Sequence, residues 1–179
     1  MSDTYKMNIA GVECELKKFP VNEKMDIAAF ILFGNIEVTV AAAKELLKKV
    51  PDFDVILTPE AKSIPLAYEM AKQSGKPYVV ARKGIKVYMQ DPISVHVRSI
   101  TTDHVQQLFI GSDEESLMKG KRVLIVDDVI STGESLTAVQ KLANVAGADI
   151  VGSCAVLAEG DAADRDDIIF LNKLPLFFK

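Results

Sequence analysis

Short apolar runs and helical repeats alternate along most of this chain. Residues 38–50, VTVAAAKELLKKV, space their apolar positions three and four apart and gather lysines near the end. Pro51 then stops the pattern, which predicts a helix. DVILT (54–58) is a β-branched run closed by Pro59 and predicts a strand. IPLAYEMAKQSG (64–75) opens with Pro65 and ends on Gly75, the expected order for a helix. PYVVAR (77–82), RVLIVD (122–127) and ADIVGSCAVLA (148–158) predict three more strands, and ESLTAVQKLANVAG (134–147) a helix between the last two. The strand runs are apolar on both faces and are interleaved with helices. That pattern predicts an α/β fold, a doubly wound parallel sheet with helices on both faces.

Between Gly84 and Gly120 the period changes. ISVHVRSI (93–100) and HVQQLFI (104–110) alternate around a TTD turn, which predicts an antiparallel hairpin entered by a loop at 83–92. This unit, about 83–112, is expected to act as a lid. The first 37 residues and the last 20 fit the main pattern poorly. They are expected to form a small cap, or hood, from 1–37 and 159–179, on a core of about 38–158 within a single domain.

Composition narrows the functional classes. The chain carries 21 basic and 25 acidic residues, a net charge of −4, which argues against a nucleic-acid partner. Cys14 and Cys154 lie far apart, match no metal spacing and read as small core residues of a reducing compartment. The start, MSDTYKMNIAG, has no basic-then-apolar leader, and no apolar run reaches membrane-spanning length. A soluble, cytoplasmic protein with no membrane partner is expected.

The chemistry concentrates in residues 123–135, VLIVDDVISTGES. In an open parallel sheet, ligands bind beyond the carboxyl ends of the strands, and Asp127 and Asp128 arrive at that edge. Two adjacent carboxylates there can accept hydrogen bonds from a vicinal diol or help hold a hard cation such as Mg²⁺, directly or through water. Ser131, Thr132, Gly133, Glu134 and Ser135 then lead into a helix N-terminus, whose N–H groups, hydroxyls and dipole suit a phosphate. A diol reader beside a phosphate cup describes a ribose 5-phosphate. A lone DD or S/T-G-x-S reads more simply as an acidic turn and a helix cap; the thirteen-residue combination is far more specific.

VLIVDDVISTGES closely resembles the signature of the type I phosphoribosyltransferases, which use 5-phosphoribosyl 1-pyrophosphate (PRPP) and Mg²⁺. The resemblance implies that Asp127 and Asp128 bind the ribose hydroxyls and that residues 131–135 hold the 5-phosphate. TPEAKSIPLAYEMA (58–71) resembles the pyrophosphate loop of adenine phosphoribosyltransferases, and its K-x-I-P-L part is similar to orotate phosphoribosyltransferases. Lys62 and the backbone around Ser63 would then face pyrophosphate, although Ser63 stands where relatives usually have glycine. Arg82 and Lys83 match a family Arg-Lys pair that helps bind pyrophosphate, often near a dimer interface, so a homodimer is implied.

The resemblance also has gaps. Adenine enzymes carry a glutamate in the hairpin that can handle a base proton, whereas SVHVRSITTDHVQQ holds only Asp103. No general acid or base is assigned; His96 and His104 are candidates by pKa, but on alternating strands they read first as surface or packing residues. Hypoxanthine-guanine enzymes usually have an aspartate where this chain has Ser131, which shifts weight toward adenine, xanthine or orotate, adenine first. Phe30 and Phe33 could stack on a flat base, though core packing is the commoner fate. The tail LPLFFK (174–179) fits cap packing or a dimer contact. The implied function is transfer of the PRPP ribose 5-phosphate to a purine base with release of pyrophosphate, as in purine salvage. The alternatives are a non-catalytic PRPP-binding regulator, or an orotate or xanthine phosphoribosyltransferase.

Overall fold

The computed structural model describes residues 3–98 and 105–179. At its centre lies a five-stranded sheet of β4 (Val55–Pro59), β5 (Tyr78–Ala81), β8 (Arg122–Ile130), β9 (Asp149–Glu159) and β10 (Ile169–Leu174). The strand order is β10-β9-β8-β4-β5, and every pairing is parallel. The chain leaves β4 toward β5 on one side and returns to place β8 on the other. The β4/β8 boundary is therefore the switch point at which open α/β sheets form a ligand crevice.

The period-two alternation of side chains sorts the core into two layers. Ile56, Leu124 and Val126 face α1 (Ile36–Leu47) and α2 (Ile64–Ser74). Val55, Leu57, Val123 and Ile125 face α4 (Glu134–Val145) and the hairpin. Both cysteines are buried and free, as the composition suggested.

Helix ends follow local chemistry. Asn35 caps α1 by accepting from the Val38 N–H, and Gly75 closes α2 in the left-handed conformation (φ 68°) that a Cβ would disfavour. The hairpin pairs β6 (Ile93–Arg98) with β7 (Val105–Ile110), antiparallel. Val95, Leu108 and Ile110 are buried with α4 residues such as Val139, so the base of the expected lid is anchored in the core. A short helix, α3 (Ser112–Met118), leads from the hairpin toward β8.

The hood is a four-stranded antiparallel sheet of β1 (Thr4–Ile9), β2 (Val12–Asn22), β3 (Met25–Ala28) and β11 (Phe177–Phe178). Ala10 and Gly11, both at positive φ, make the tight β1–β2 turn. The division of the last 20 residues differs from the sequence expectation. Only β11 joins the hood, where Phe177 packs edge-on against Tyr5 at 5.2 Å and beneath the Lys18 ammonium. β10 instead extends the central sheet, because its run from Ile168 supplies apolar side chains to both layers. No helix among the described residues is long and apolar enough to cross a membrane.

Candidate active site

β8 pairs with β4 only as far as Ile125 but with β9 as far as Ile130. Beyond Ile125 its β4-facing edge opens onto a cavity of about 290 Å³. Asp127, Asp128, Lys62, Ser63, Lys83 and Ser135 all border that space. Strand alternation assigns the two carboxylates different neighbourhoods. Asp128 shares the α2 side, where the Lys62 Nζ lies 2.9 Å from its Oδ2. Asp127 shares the α4 side and borders a second cavity of about 170 Å³, lined by residues 129–136.

The two cavities have Asp127, Val129 and Ser135 in common, so they adjoin as parts of one cleft. Gly133 begins α4 at φ 83°, and the Arg165 guanidinium packs where a Cβ would stand, 2.7 Å away. Arg165 is itself held by Asp167 through bonds of 2.8 and 2.6 Å. Residues 131–135 thus form a tight turn with a cation behind it, a sound frame for an anionic ligand.

Electrostatics in the cleft are uneven. Burial, and next the charge of Asp128, push the Asp127 carboxyl well above the usual carboxylate range. The Asp128 N–H donates to Asp127 Oδ1 at 2.9 Å, which fixes the rotamer of the first aspartate. Among the described residues, no group of three or more His, Cys, Asp or Glu converges as a metal site. Two acceptors suit a hard cation that brings most of its oxygen ligands with it.

The loop after β4 is held from below. The Thr58 and Ser63 hydroxyls sit 2.8 Å apart and within 2.8–2.9 Å of the Val126 and Pro59 carbonyls. Both side chains are buried, so Ser63 offers the cleft its backbone while its hydroxyl closes the loop onto the end of β4 and the Thr58 hydroxyl ties β4 to β8. Glu60 accepts from the Lys83 N–H at 2.9 Å and pairs with Arg82 at 3.3 Å, and the Lys83 contact in particular holds its carboxyl below the usual range. Arg82 is therefore turned toward Glu60 and does not border the cleft, whereas Lys83 does. Glu60 was not singled out from the sequence. Its place one residue after a strand end, opposite a basic pair, was the available signal.

Phe30 and Phe33 are not brought to the cleft. Phe30 is a core side chain, because its strand-to-helix connection crosses the interior beneath the hood. Phe33 is exposed and lines a separate apolar groove with Ile36, Val40, Pro65 and Tyr68. His96 lies on the exposed face of the hairpin beside Gln107 and borders no described cavity. Asp103 and His104 fall outside the described residues.

A third cavity, of about 320 Å³, adjoins the turn at Ser131 and Thr132. Val21, Met25 and Ile27 of the hood and Leu176 form its apolar side, and Glu159, Gly160 and Asp161 its polar side. No sequence pattern pointed to it, since its walls come from the two ends of the chain and from the middle.

Known proteins resemble this arrangement. Residues 34–174 match the phosphoribosyl transferase domain family. A hypoxanthine/guanine phosphoribosyltransferase of Methanococcus voltae is 38% identical over 114 residues, covering 64% of this chain and 57% of that protein. The purine biosynthesis transcriptional repressor of Bacillus subtilis is 30% identical over 114 residues, covering 64% of this chain and 39% of the repressor. The chain thus spans little more than half of the first of these relatives and less of the second. Among solved structures, adenine phosphoribosyltransferase from Thermoanaerobacter pseudethanolicus superposes with a TM-score of 0.72 at 23% identity, covering 88% of this chain and 95% of that one. The Saccharomyces cerevisiae enzyme gives 0.69 at 21% identity, covering 88% and 93%. With the family match covering most of its length, the chain belongs to the type I phosphoribosyltransferase family.

Proposed function

We propose that this protein is a purine phosphoribosyltransferase, which transfers the ribose 5-phosphate of PRPP to a purine base and releases pyrophosphate. The observation that carries it is the continuous cleft, with an anion-binding turn at one end, Lys62 and Lys83 at the other and two carboxylates between. PRPP has that same sequence of groups: 5-phosphate, ribose diol, pyrophosphate. In the reaction the bond from ribose C1 to the pyrophosphate oxygen breaks, a bond from C1 to a purine ring nitrogen forms, and the base gives up a proton.

The protein's part is positional and electrostatic. Residues 131–135 hold the 5-phosphate, and Asp127 and Asp128 accept from the ribose hydroxyls. Lys62, Lys83 and the backbone at Ser63 stabilise charge on the departing pyrophosphate. Asp127 and Asp128 would help hold Mg²⁺, which would supply Lewis-acid neutralisation of the leaving group. The third cavity, against the 131–135 turn and walled by apolar hood residues, suits the flat base. Adenine is the expectation from Ser131, while the M. voltae relative is named for hypoxanthine and guanine. A homodimer fits the exposed apolar side chains Phe33, Ile36 and Tyr68.

A second reading, a PRPP-binding regulator, is favoured by two observations. The described hairpin strands contain no carboxylate to take the base proton, and a repressor is among the relatives. Pyrophosphate release from PRPP and Mg²⁺, with each purine offered separately, tests both. Turnover that falls at least about a hundredfold in the Asp127→Asn/Asp128→Asn double variant is expected. Full turnover in that variant would refute the assigned site. PRPP binding without turnover by any base would favour the regulator.

A further inference from the structure

Glu159 ends β9, beside β8, and borders the cavity between the hood and the 131–135 turn. It is half-buried, and among the described residues no hydrogen bond or ion pair engages its carboxylate. Burial raises its pKa, with Lys62 acting against that rise. A partly desolvated carboxylate without a protein donor is costly unless a ligand supplies one. The rest of the lining sharpens the chemistry. Asp161 is a second acceptor, Ser131 and Thr132 contribute hydroxyls, and among the described residues no lysine, arginine or histidine lines the cavity. The opposing wall, Val21, Met25, Ile27 and Leu176, is apolar and fits the face of a ring.

Resting on the purine transferase reading above, we infer that Glu159 reads the N–H edge of the base and selects guanine, then hypoxanthine, over adenine. An ionised carboxylate only accepts hydrogen bonds. Guanine presents two adjacent donors, the ring N1–H and the 2-amino group, which match two carboxylate oxygens as a pair. Hypoxanthine presents N1–H alone. Adenine places an acceptor, N1, beside its amino group, so one carboxylate oxygen would face a lone pair. Sites built to hydrogen-bond a donor reject analogues that lack it strongly, because the buried partner is left unpaired. Ser131, read from the sequence as pointing away from hypoxanthine and guanine, follows Ile130, which pairs with Ala158, so it stands beside Glu159 and adds a hydroxyl to the same polar side.

The test is calorimetric binding of GMP, IMP and AMP, with ribose 5-phosphate as a control, to the wild-type protein and to Glu159→Gln. The expected wild-type order is GMP, IMP, AMP, with GMP at least about tenfold tighter than AMP. Glutamine can donate as well as accept, so Glu159→Gln should narrow the GMP/AMP ratio about tenfold and leave ribose 5-phosphate affinity unchanged. A ratio unmoved by the substitution, an absent wild-type preference, or no nucleotide binding at all would overturn the assignment. The wild-type order needs no variant and stands as a separate check. Because the readout is binding, GMP preference without pyrophosphate release would sink the transferase reading and leave the role of Glu159 intact.

Discussion

Replacing Lys62 by methionine separates two roles that this residue combines. Its ammonium lies 2.9 Å from Asp128 Oδ2; the Asp128 side chain is 5% exposed and that of Lys62 is 52% exposed. Coulomb's law at that distance gives about 6 kcal/mol for an effective dielectric constant of ~20 and about 1.4 kcal/mol in bulk water. With half of the lysine in solvent, the pair belongs near the lower end, about 1–2 kcal/mol. Lys62→Met should therefore lower folding stability by roughly that amount in denaturant titration. If Lys62 also carries charge to the leaving pyrophosphate, kcat/KM for PRPP should fall more steeply, by about 10- to 100-fold, since a hydrogen bond to a charged group contributes about 1.5–3 kcal/mol. Salt sharpens the distinction, because screening at high ionic strength weakens the exposed end of the pair first. A variant that loses stability but keeps wild-type kcat/KM would refute the catalytic role and leave Lys62 as the counter-ion of Asp128.

Two further outcomes follow from the geometry. Gly133→Ala places a Cβ at φ 83° against the Arg165 guanidinium, so a stability loss of about 1–2 kcal/mol and weaker ribose 5-phosphate binding are expected, read by denaturation and calorimetry. Asp54, at the opposite end of the sheet, accepts from the Arg122 side chain and N–H at 2.9–3.2 Å, which holds its carboxyl well below the usual range. A depressed folded-state pKa gives stability that is present above the unfolded value and lost as pH falls through the carboxylate range toward the folded one. Asp54→Asn should lower Tm at neutral pH, the difference should shrink on acidification, and turnover should be unchanged; a pH-independent difference would contradict the pairing.

The central sheet was legible because each strand through β9 ends on a breaker or a helix cap, and the helices between carry their own stop signals. β10 was not legible for a definite reason. The connection from β9 is a 3-10 turn, Gly160–Asp164, followed by an acidic stretch, so the strand-helix alternation that marked its neighbours is interrupted. The hood hairpin had a signal in the alternation of Tyr5, Met7 and Ile9 with Cys14, Leu16 and the Ala10-Gly11 turn, but its strands carry charges on the outer face and do not share the core's period. Residues contiguous in sequence come together: Asp127, Asp128 and 131–135 line two adjoining cavities. Arg82 does not border them, because Glu60, from another loop, pairs with its side chain. The cavity between the hood and the 131–135 turn was invisible for the same reason on a larger scale, since the distance between Val21, Ser131 and Glu159 along the chain conceals their meeting.

The placement of β10 and β11 gives the hood a particular mechanical character. Its sheet is joined to the core covalently at two points, through the segment after Ala28 and again between Leu174 and Phe177. A flap fixed at one end swings freely, whereas one fixed at two can only pivot about the line that joins its anchors. Leu176 lies on the second anchor and also borders the cavity beside Glu159, with its Cδ1 3.0 Å from where a Cβ on Gly160 would stand. The width of that cavity is thereby set from both ends of the chain at once, like the jaw of a clamp whose screw and hinge are parts of the same strip.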